Sequence, residues 1–127
     1  MRKVNDGFPA EEAASNYLQR KGYLIISRNY HCRYGEIDII ALKAELIVFI
    51  EVKSRRGDME AAFSSVSIRK RLKLIRSALH FIQNNPQYEK QCMRFDVIGA
   101  VDEKREGFFR LEHLEDAFRA DGLEEYI

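Results

Sequence analysis

Hydrophobic residues recur with helical spacing in two segments of the chain. Over residues 9–21, alanine, tyrosine and leucine repeat every three or four positions, Pro9 suits the first turn, and Gly22 suits the end. Over residues 67–83, isoleucine and leucine repeat in the same way, and the following Asn-Asn-Pro sequence ends the pattern. The sequence therefore predicts two helices, each with one buried face.

The other hydrophobic runs are shorter and favour β-strands. Residues 28–34 are predicted as a loop, and residues 116–119 as a closing helical turn. Helices interspersed with strands predict a single α/β domain over residues 1–127. We expect three layers (α/β/α), in which helices cover both faces of a mixed sheet of four or five strands. The strands are predicted at residues 23–27, 35–42, 46–53, 94–101 and 108–111.

The composition of the 127 residues is that of one folded domain. Hydrophobic residues make up 46% and charged residues 32%, which excludes a disordered chain, a collagen and a coiled-coil rod. The longest purely apolar run, Leu46–Ile50, is far shorter than the roughly 20 residues of a membrane span. No apolar stretch follows the basic residues at the start. We therefore expect a cytoplasmic protein without a membrane partner, with Cys32 and Cys92 as free thiols.

The net charge of +1 argues against a polycation that wraps nucleic acid, but the charge is unevenly distributed. Residues 102–127 hold nine acidic and four basic residues, a net of −5, so residues 1–101 carry +6. A basic patch of this kind binds a phosphate backbone or forms a solvated helix face, and the charge alone favours neither. The densest patch lies on the second predicted helix and comprises Arg69, Lys70, Arg71, Lys73 and Arg76.

The candidate chemistry lies on the second and third predicted strands. A two-residue turn between them would place Asp38 opposite Glu51, with Cβ atoms about 4.5–5.5 Å apart. The same pairing would place Glu36 opposite Lys53. The other face of both strands would be purely apolar, with Ile37, Ile39 and Ala41 facing Val48, Ile50 and Val52.

Two facing carboxylates repel each other, and burial makes their ionisation costlier. A divalent cation converts this repulsion into shared coordination, and Mg²⁺ takes oxygen ligands of this kind. Lys53, on the same face as Glu51, could deprotonate a metal-bound water or neutralise charge on a phosphate. The alternative is a surface cluster of weak salt bridges. Apolar neighbours on the same face, Ile40 and Phe49, favour a covered site.

The first predicted helix supplies a further carboxylate. At about 100° per residue, Glu11 lies at the flank of the buried stripe, whereas Glu12 points away from it. A side chain at the flank can reach into a cleft beside the sheet. Glu11 is therefore the candidate for a third acidic group, and Glu12 is expected in solvent.

Asp38 followed by Glu51-x-Lys53 resembles the PD-(D/E)xK nuclease signature in its Holliday-junction-resolvase-like form. Nearly the whole chain also resembles the YraN-type family of small uncharacterised bacterial proteins. The segments that carry this second resemblance are Glu11-x-x-Ala14-x-x-Tyr17-Leu18, Gly22-Tyr23, Arg28-Asn29-Tyr30, Gly35-Glu36-Ile37-Asp38-Ile39-Ile40, Val48-Phe49-Ile50-Glu51-Val52-Lys53-Ser54-Arg55, Lys70, Arg94-Phe95-Asp96-Val97 and Glu112-His113-Leu114.

The resemblance implies a restriction-endonuclease-like α/β/α fold and a metal-dependent nuclease site. Asp38 and Glu51, helped by the carbonyl of Val52, would bind Mg²⁺ or Mn²⁺. Lys53 would be the catalytic lysine, and Glu11 would match the acidic residue of the first helix.

Five further residues are candidates for contacts with a substrate. A tyrosine in a basic loop could stack on an unpaired base, or it could pack within the loop. A lysine on the basic helix could contact a phosphate, or it could be solvated. The candidates are Arg55 and Arg56 directly after the site, Lys70 on the helix, and Arg33 and Tyr30 in the 28–34 loop.

The leading hypothesis is a Mg²⁺- or Mn²⁺-dependent nuclease that acts on DNA phosphodiester bonds, with branched or structured DNA as a candidate substrate. A symmetric branched substrate would favour a homodimer. One alternative is a non-catalytic nucleic-acid-binding module of the same fold. Another is an interaction or scaffolding domain that uses the acidic residues 102–127.

Overall fold

A computed structural model describes residues 8–56, 66–105 and 108–120. Five strands form one mixed sheet in sequence order, and only the third and fourth are parallel. A helix joins these two, as a crossover between parallel strands requires. The elements are α1 (Phe8–Arg20), β1 (Leu24–Cys32), β2 (Gly35–Lys43), β3 (Leu46–Arg56), α2 (Ile68–Asn84), a 3-10 turn (Pro86–Tyr88), β4 (Cys92–Arg105) and β5 (Phe108–Phe118).

The two helices cover opposite faces of the sheet, so the predicted three-layer α/β architecture is confirmed. Adjacent residues of β2 illustrate this, because Ile39 packs with α1 and Ile40 packs with α2. The core on the α1 side includes Ala14, Leu18, Ile39, Val48, Ile50 and Ile98. The core on the α2 side includes Ile40, Ile47, Phe49, Ile75, Ala78, Phe81 and Phe95.

Two predictions of local structure are wrong. Most of the 28–34 segment is strand rather than loop, because β1 pairs with β2 as far as Cys32 and leaves only Arg33 and Tyr34 in the turn. The predicted helical turn at residues 116–119 belongs to β5, which continues to Phe118. Three residues of β5 (115–117) lie across from the single residue Asp96 of β4 there, so the segment is an irregularity of the strand pairing and not a helical turn.

Both cysteines are free, as predicted. Within the described ranges, neither helix is long and apolar enough to cross a membrane. The supposed acidic tail is partly structural, because residues 108–118 form the edge strand β5.

A buried carboxylate ties β5 to the rest of the sheet. Asp96 accepts two hydrogen bonds from the guanidinium of Arg94, each 2.8 Å long, and one of 2.9 Å from the amide of Asp116. His113 Nε2 donates a fourth of 2.6 Å, so His113 Nδ1 accepts a hydrogen bond from the hydroxyl of Tyr17 on α1. Burial alone would raise the pKa of Asp96, but these hydrogen bonds outweigh it and hold the pKa below its usual value.

We expect Asp96→Asn to lower the free energy of unfolding by about 2–4 kcal/mol, because it removes the buried counter-charge that lies 2.8 Å from the largely buried Arg94. Glu115→Gln is the matched control. Its carboxylate also faces Arg94, but at 3.5 Å and with 54% of its side chain exposed. It should change the stability by less than about 0.5 kcal/mol. Urea unfolding of both variants measures the difference, and equal destabilisation would contradict this account of the network.

Candidate active site

The site lies where β2 and β3 separate. A two-residue turn joins these strands, as predicted, and Ala44 in this turn has the positive φ of 54° that tight hairpins need. From the turn, the strands pair from Lys43 and Leu46 as far as Ile39 and Ile50. Among the described residues of both strands, the pairing ends there. The expected cross-strand backbone pairs of Asp38 with Glu51 and of Glu36 with Lys53 are therefore wrong.

The side-chain alternation of β2 is also interrupted at Asp38. Ile37 packs with Ile40 on the α2 side, whereas Ile39 packs on the α1 side, so the predicted apolar face is wrong at Ile37. On β1, Asn29 lies between the paired residues Arg28 and Tyr30, across from Asp38, and has a φ of 55°. Asparagine tolerates this left-handed conformation better than most residues.

Asp38 spans the gap between the two strands. Its Oδ2 atom accepts the backbone N–H of Val52 on β3, with a nitrogen–oxygen distance of 2.8 Å. The residue is 9% exposed. The side chain of Asp38 thus takes the place of a backbone contact and holds its carboxylate in the opening between the strands.

Glu51 and Lys53 approach Asp38 from β3. They lie on one face of the strand, Lys53 Nζ is 3.8 Å from Glu51 Oε1, and their side chains are only 17% and 13% exposed. Burial raises the pKa of Glu51 to about 8, aided by the charge of Asp38 and a hydrogen bond shared with it. The predicted proximity of Asp38 and Glu51 is therefore confirmed, although side chains rather than paired backbones create it.

Lys53 also contacts the start of α2. Burial lowers the pKa of Lys53, and a hydrogen bond with Lys70 lowers it further, while the charges of Glu51 and Asp38 oppose both effects. Lys70 lies in the first turn of α2, where its backbone N–H donates to the N-cap hydroxyl of Ser67. The cap fixes the start of the helix beside the acidic residues.

Glu11 reaches the same opening from α1. It is 4% exposed, and its Oε1 atom is buried without a hydrogen-bond partner among the described residues. Burial and the charge of Asp38 raise its pKa, and a hydrogen bond from Asn29 opposes this. Glu12 is exposed and forms a 2.8 Å ion pair with Arg28. The predicted placement of both glutamates is confirmed.

The other candidate residues lie in different places. Lys70 lies beside the acidic opening, which is the gap between β2 and β3 that holds Glu11, Asp38, Glu51 and Lys53. Tyr30 does not, because its ring packs against Phe81 and its hydroxyl bonds to His80, so the packing alternative applies. Arg33 is exposed in the β1–β2 turn, with its guanidinium over the ring of Tyr34. The side chains of Arg55 and Arg56 lie outside the described residues.

Oxygen atoms are the available ligands for a cation in this opening. Across the described ranges, no group of three or more His, Cys, Asp or Glu side chains is arranged to hold a metal ion. The donors would be the carboxylates of Asp38 and Glu51 together with the backbone carbonyl of Val52. The N–H and C=O of a strand residue point towards the same neighbouring strand, so the Val52 carbonyl shares the side of its amide.

A cavity of about 620 Å³ lies away from these residues. It contains none of the acidic residues or lysines of the opening, and an ion pair between Asp116 and Arg119 lies at its edge. Most of its lining is apolar, and it includes Leu46, Ile75, Phe95 and Phe118.

The sequence did not identify Asn29 as a residue of the site. Its side chain forms a hydrogen bond with Glu11, and its backbone takes a left-handed conformation across from Asp38. The signal available in the sequence was an asparagine, which tolerates positive φ, directly before Tyr30. That signal is too common to identify a site.

Comparisons with known proteins agree with the resemblance noted in the sequence. The model of "Uncharacterised protein family UPF0102" matches residues 10–100. A UPF0102 protein of Nitrosococcus oceani is 42% identical over 116 residues, which cover 91% of this chain and 92% of the relative. One of Ectopseudomonas mendocina is 38% identical over 122 residues, which cover 94% and 100%. UPF0102 is the YraN family, so the predicted family is confirmed.

The raised pKa of Glu51 predicts a pH-dependent stability for the metal-free protein. Between pH 4.5 and about 8, folded Glu51 keeps its proton while unfolded Glu51 loses it, so stability falls as the pH rises. In EDTA, the free energy of unfolding should fall between pH 5 and pH 8.5 by on the order of 2 kcal/mol more in the wild type than in Glu51→Gln. Glu12→Gln, at an exposed position, serves as the control and should follow the wild type. Parallel curves for the wild type and Glu51→Gln would contradict the assignment.

Proposed function

The chain belongs to the UPF0102 family, and from the geometry of its site we propose that it is a metal-dependent nuclease that hydrolyses DNA phosphodiester bonds. The observation that carries this proposal is the convergence of Asp38, Glu51 and Lys53 in the gap between β2 and β3. The family description names no activity. Support therefore comes from these side chains and from their resemblance to the PD-(D/E)xK signature.

The donor set suits a hard divalent cation. Two carboxylates face each other in a largely buried opening, and a third, Glu11, has an oxygen atom that finds no hydrogen-bond partner among the described residues. Unpaired buried acceptors are costly, and a cation would satisfy them. Asp38, Glu51 and the Val52 carbonyl would hold Mg²⁺ or Mn²⁺, and Glu11 would complete the acidic cluster. When bound, the ion would supply Lewis-acid stabilisation and a more acidic water molecule.

Lys53 is the candidate proton acceptor. Burial and the neighbouring Lys70 lower its pKa, which increases the fraction of neutral amine near neutral pH. A neutral Nζ atom can accept a proton from an attacking water, and the resulting ammonium group can stabilise negative charge on a phosphate. Glu51 at 3.8 Å limits the positions that Nζ can take.

The basic side of α2 supplies a surface for the DNA backbone. Lys70 reaches the site, and Lys73 lies three residues further along the helix, so the two share one side of it. Both residues are exposed. Lysines in this arrangement bind phosphates without reading the base sequence. A symmetric junction as substrate would in addition favour a homodimer, with one site for each cut strand.

Cleavage of labelled DNA in Mn²⁺ tests the proposal. The wild type should cut at least one member of a panel of single-stranded, flapped, branched and duplex DNAs. Lys53→Ala should lower the rate by about 10²–10⁴-fold through loss of the proton acceptor, and Asp38→Asn should abolish cleavage. Glu12→Gln should retain the wild-type rate, because its side chain lies in solvent next to Glu11.

Thermal unfolding of each variant separates lost chemistry from lost folding. Wild-type cleavage by a folded Asp38→Asn protein would refute the mechanism. Salt-sensitive DNA binding without cleavage, unchanged in Lys53→Ala, would favour the non-catalytic binding module instead. Deletion of residues 102–127 is an unsuitable test of a scaffolding role, because it removes the strand β5.

A further inference from the structure

A second hollow lies on the α2 side of the sheet, beside the turn between β1 and β2. Its volume is about 180 Å³, and its lining combines an aromatic ring, an imidazole, a guanidinium group and an amide around one apolar side chain. None of these groups belongs to the acidic opening. The lining residues are Tyr34, Arg76, Leu79, His80 and Gln83.

The lining has the chemistry that binds a nucleobase. The rings of Tyr34 and His80 lie 6.0 Å apart at 67°, so the two planes enclose a corner rather than stacking on each other. Leu79 is 39% exposed and offers apolar surface between them. Bases stack on aromatic side chains and on the plane of arginine, and the amide of Gln83 can donate to and accept from a base edge.

The hollow is formed before any ligand binds. The hydroxyl of Tyr30 bonds to His80 Nδ1, and this contact holds the imidazole. The turn packs on α2 at Gly35, where an added Cβ would lie 3.5 Å from Ser77 Oγ and 3.6 Å from Lys73 Cβ, both ordinary van der Waals contacts. The guanidinium of Arg33 lies 4.9 Å from the ring centroid of Tyr34 and donates to its hydroxyl at 2.7 Å. These contacts limit the entropy lost on binding.

A line of basic residues connects the hollow with the acidic opening. Lys70 lies beside Lys53 in the opening, and Lys73 and Arg76 follow at three-residue intervals along α2, each turned about 60° round the helix from the one before. At 1.5 Å per residue, Arg76 is about 9 Å and His80 about 15 Å along the helix from Lys70. A strand whose phosphates follow Lys70 and Lys73 would bring a base to the hollow within a few nucleotides of the acidic opening.

We propose that this hollow binds an unpaired nucleobase of the cleaved strand, so that the substrate is DNA with single-stranded nucleotides next to the cleavage point. The inference rests on the proposed nuclease function. A base within a continuous duplex is stacked and paired, and it would have to leave the helix at a cost in free energy. A flap, a junction arm or a single strand presents such a base without that cost.

DNA binding by Tyr34 variants tests the proposal in an Asp38→Asn background, which prevents cleavage. Fluorescence anisotropy should show that Tyr34→Leu weakens binding of a single-stranded 20-mer and of a flapped duplex about tenfold, through loss of a stacked base. Binding of a continuous duplex should change less than about twofold. Tyr34→Phe keeps the ring and should stay within about threefold of the parent. Phe108→Leu replaces an exposed aromatic on β5 and should leave binding of all three DNAs unchanged.

A stacked base has its own spectroscopic signature. With 2-aminopurine substituted at successive positions of the flap, the parent protein should change the fluorescence at one or two positions, and Tyr34→Leu should lose that change. Equal weakening of single-stranded and duplex binding would overturn the proposal, since it would indicate a general loss of contact. Unchanged binding by folded Tyr34→Leu, or no DNA binding by the parent protein, would overturn it too.

Failure of the base-binding proposal can be distinguished from failure of the nuclease proposal. If the wild type cleaves DNA and Tyr34→Leu changes the cleavage of flaps and of duplexes to the same extent, the base-binding hollow is refuted and the nuclease proposal stands. If binding of single strands depends on Tyr34 but the wild type cleaves no DNA in Mn²⁺, the base-binding proposal stands and the nuclease proposal is refuted.

Discussion

The hydrogen bond from the backbone amide of Val52 to the carboxylate of Asp38 is the contact on which the site depends. It forms where β2 and β3 stop pairing. It keeps a carboxylate between two strands whose paired segments are largely apolar. Each strand continues past this point on its other neighbour, β2 on β1 and β3 on β4. The sheet is therefore stable around an opening, and the opening is lined with charge.

The charged groups in this opening are desolvated at a cost in free energy, and this cost distinguishes the opening from an ordinary surface cluster. Glu11, Glu51 and Lys53 are largely buried, whereas exposed ion pairs keep most of their hydration. The raised pKa of Glu51 and the lowered pKa of Lys53 both express this desolvation. A fold gains no stability from carboxylates held together in this way, and this cost supports the proposal that the opening binds a cation.

The sequence predicted the architecture and the approach of Glu11, Glu51 and Lys53 to Asp38, but not how these side chains are brought together. Helical spacing gave α1 and α2, and the two-residue turn gave the register of β2 with β3. The sequence could not show that Asn29 would take a left-handed conformation, nor that the backbone pairing of β2 with β3 would end before Asp38, because both depend on contacts across the sheet. The length of β1 was missed for a similar reason. Its polar residues form a strand because Tyr30 packs on Phe81, a partner 51 residues away.

The central claim is that Asp38 and Glu51 share one divalent cation, and direct titration of the EDTA-treated protein with Mn²⁺ tests it most simply. Electron paramagnetic resonance of free Mn²⁺ would follow the binding. The account predicts one ion per chain for the wild type and for Glu12→Gln, and an affinity lowered at least about tenfold in folded Asp38→Asn. Equal affinity in Asp38→Asn, or no Mn²⁺ binding by the wild type, would contradict the claim.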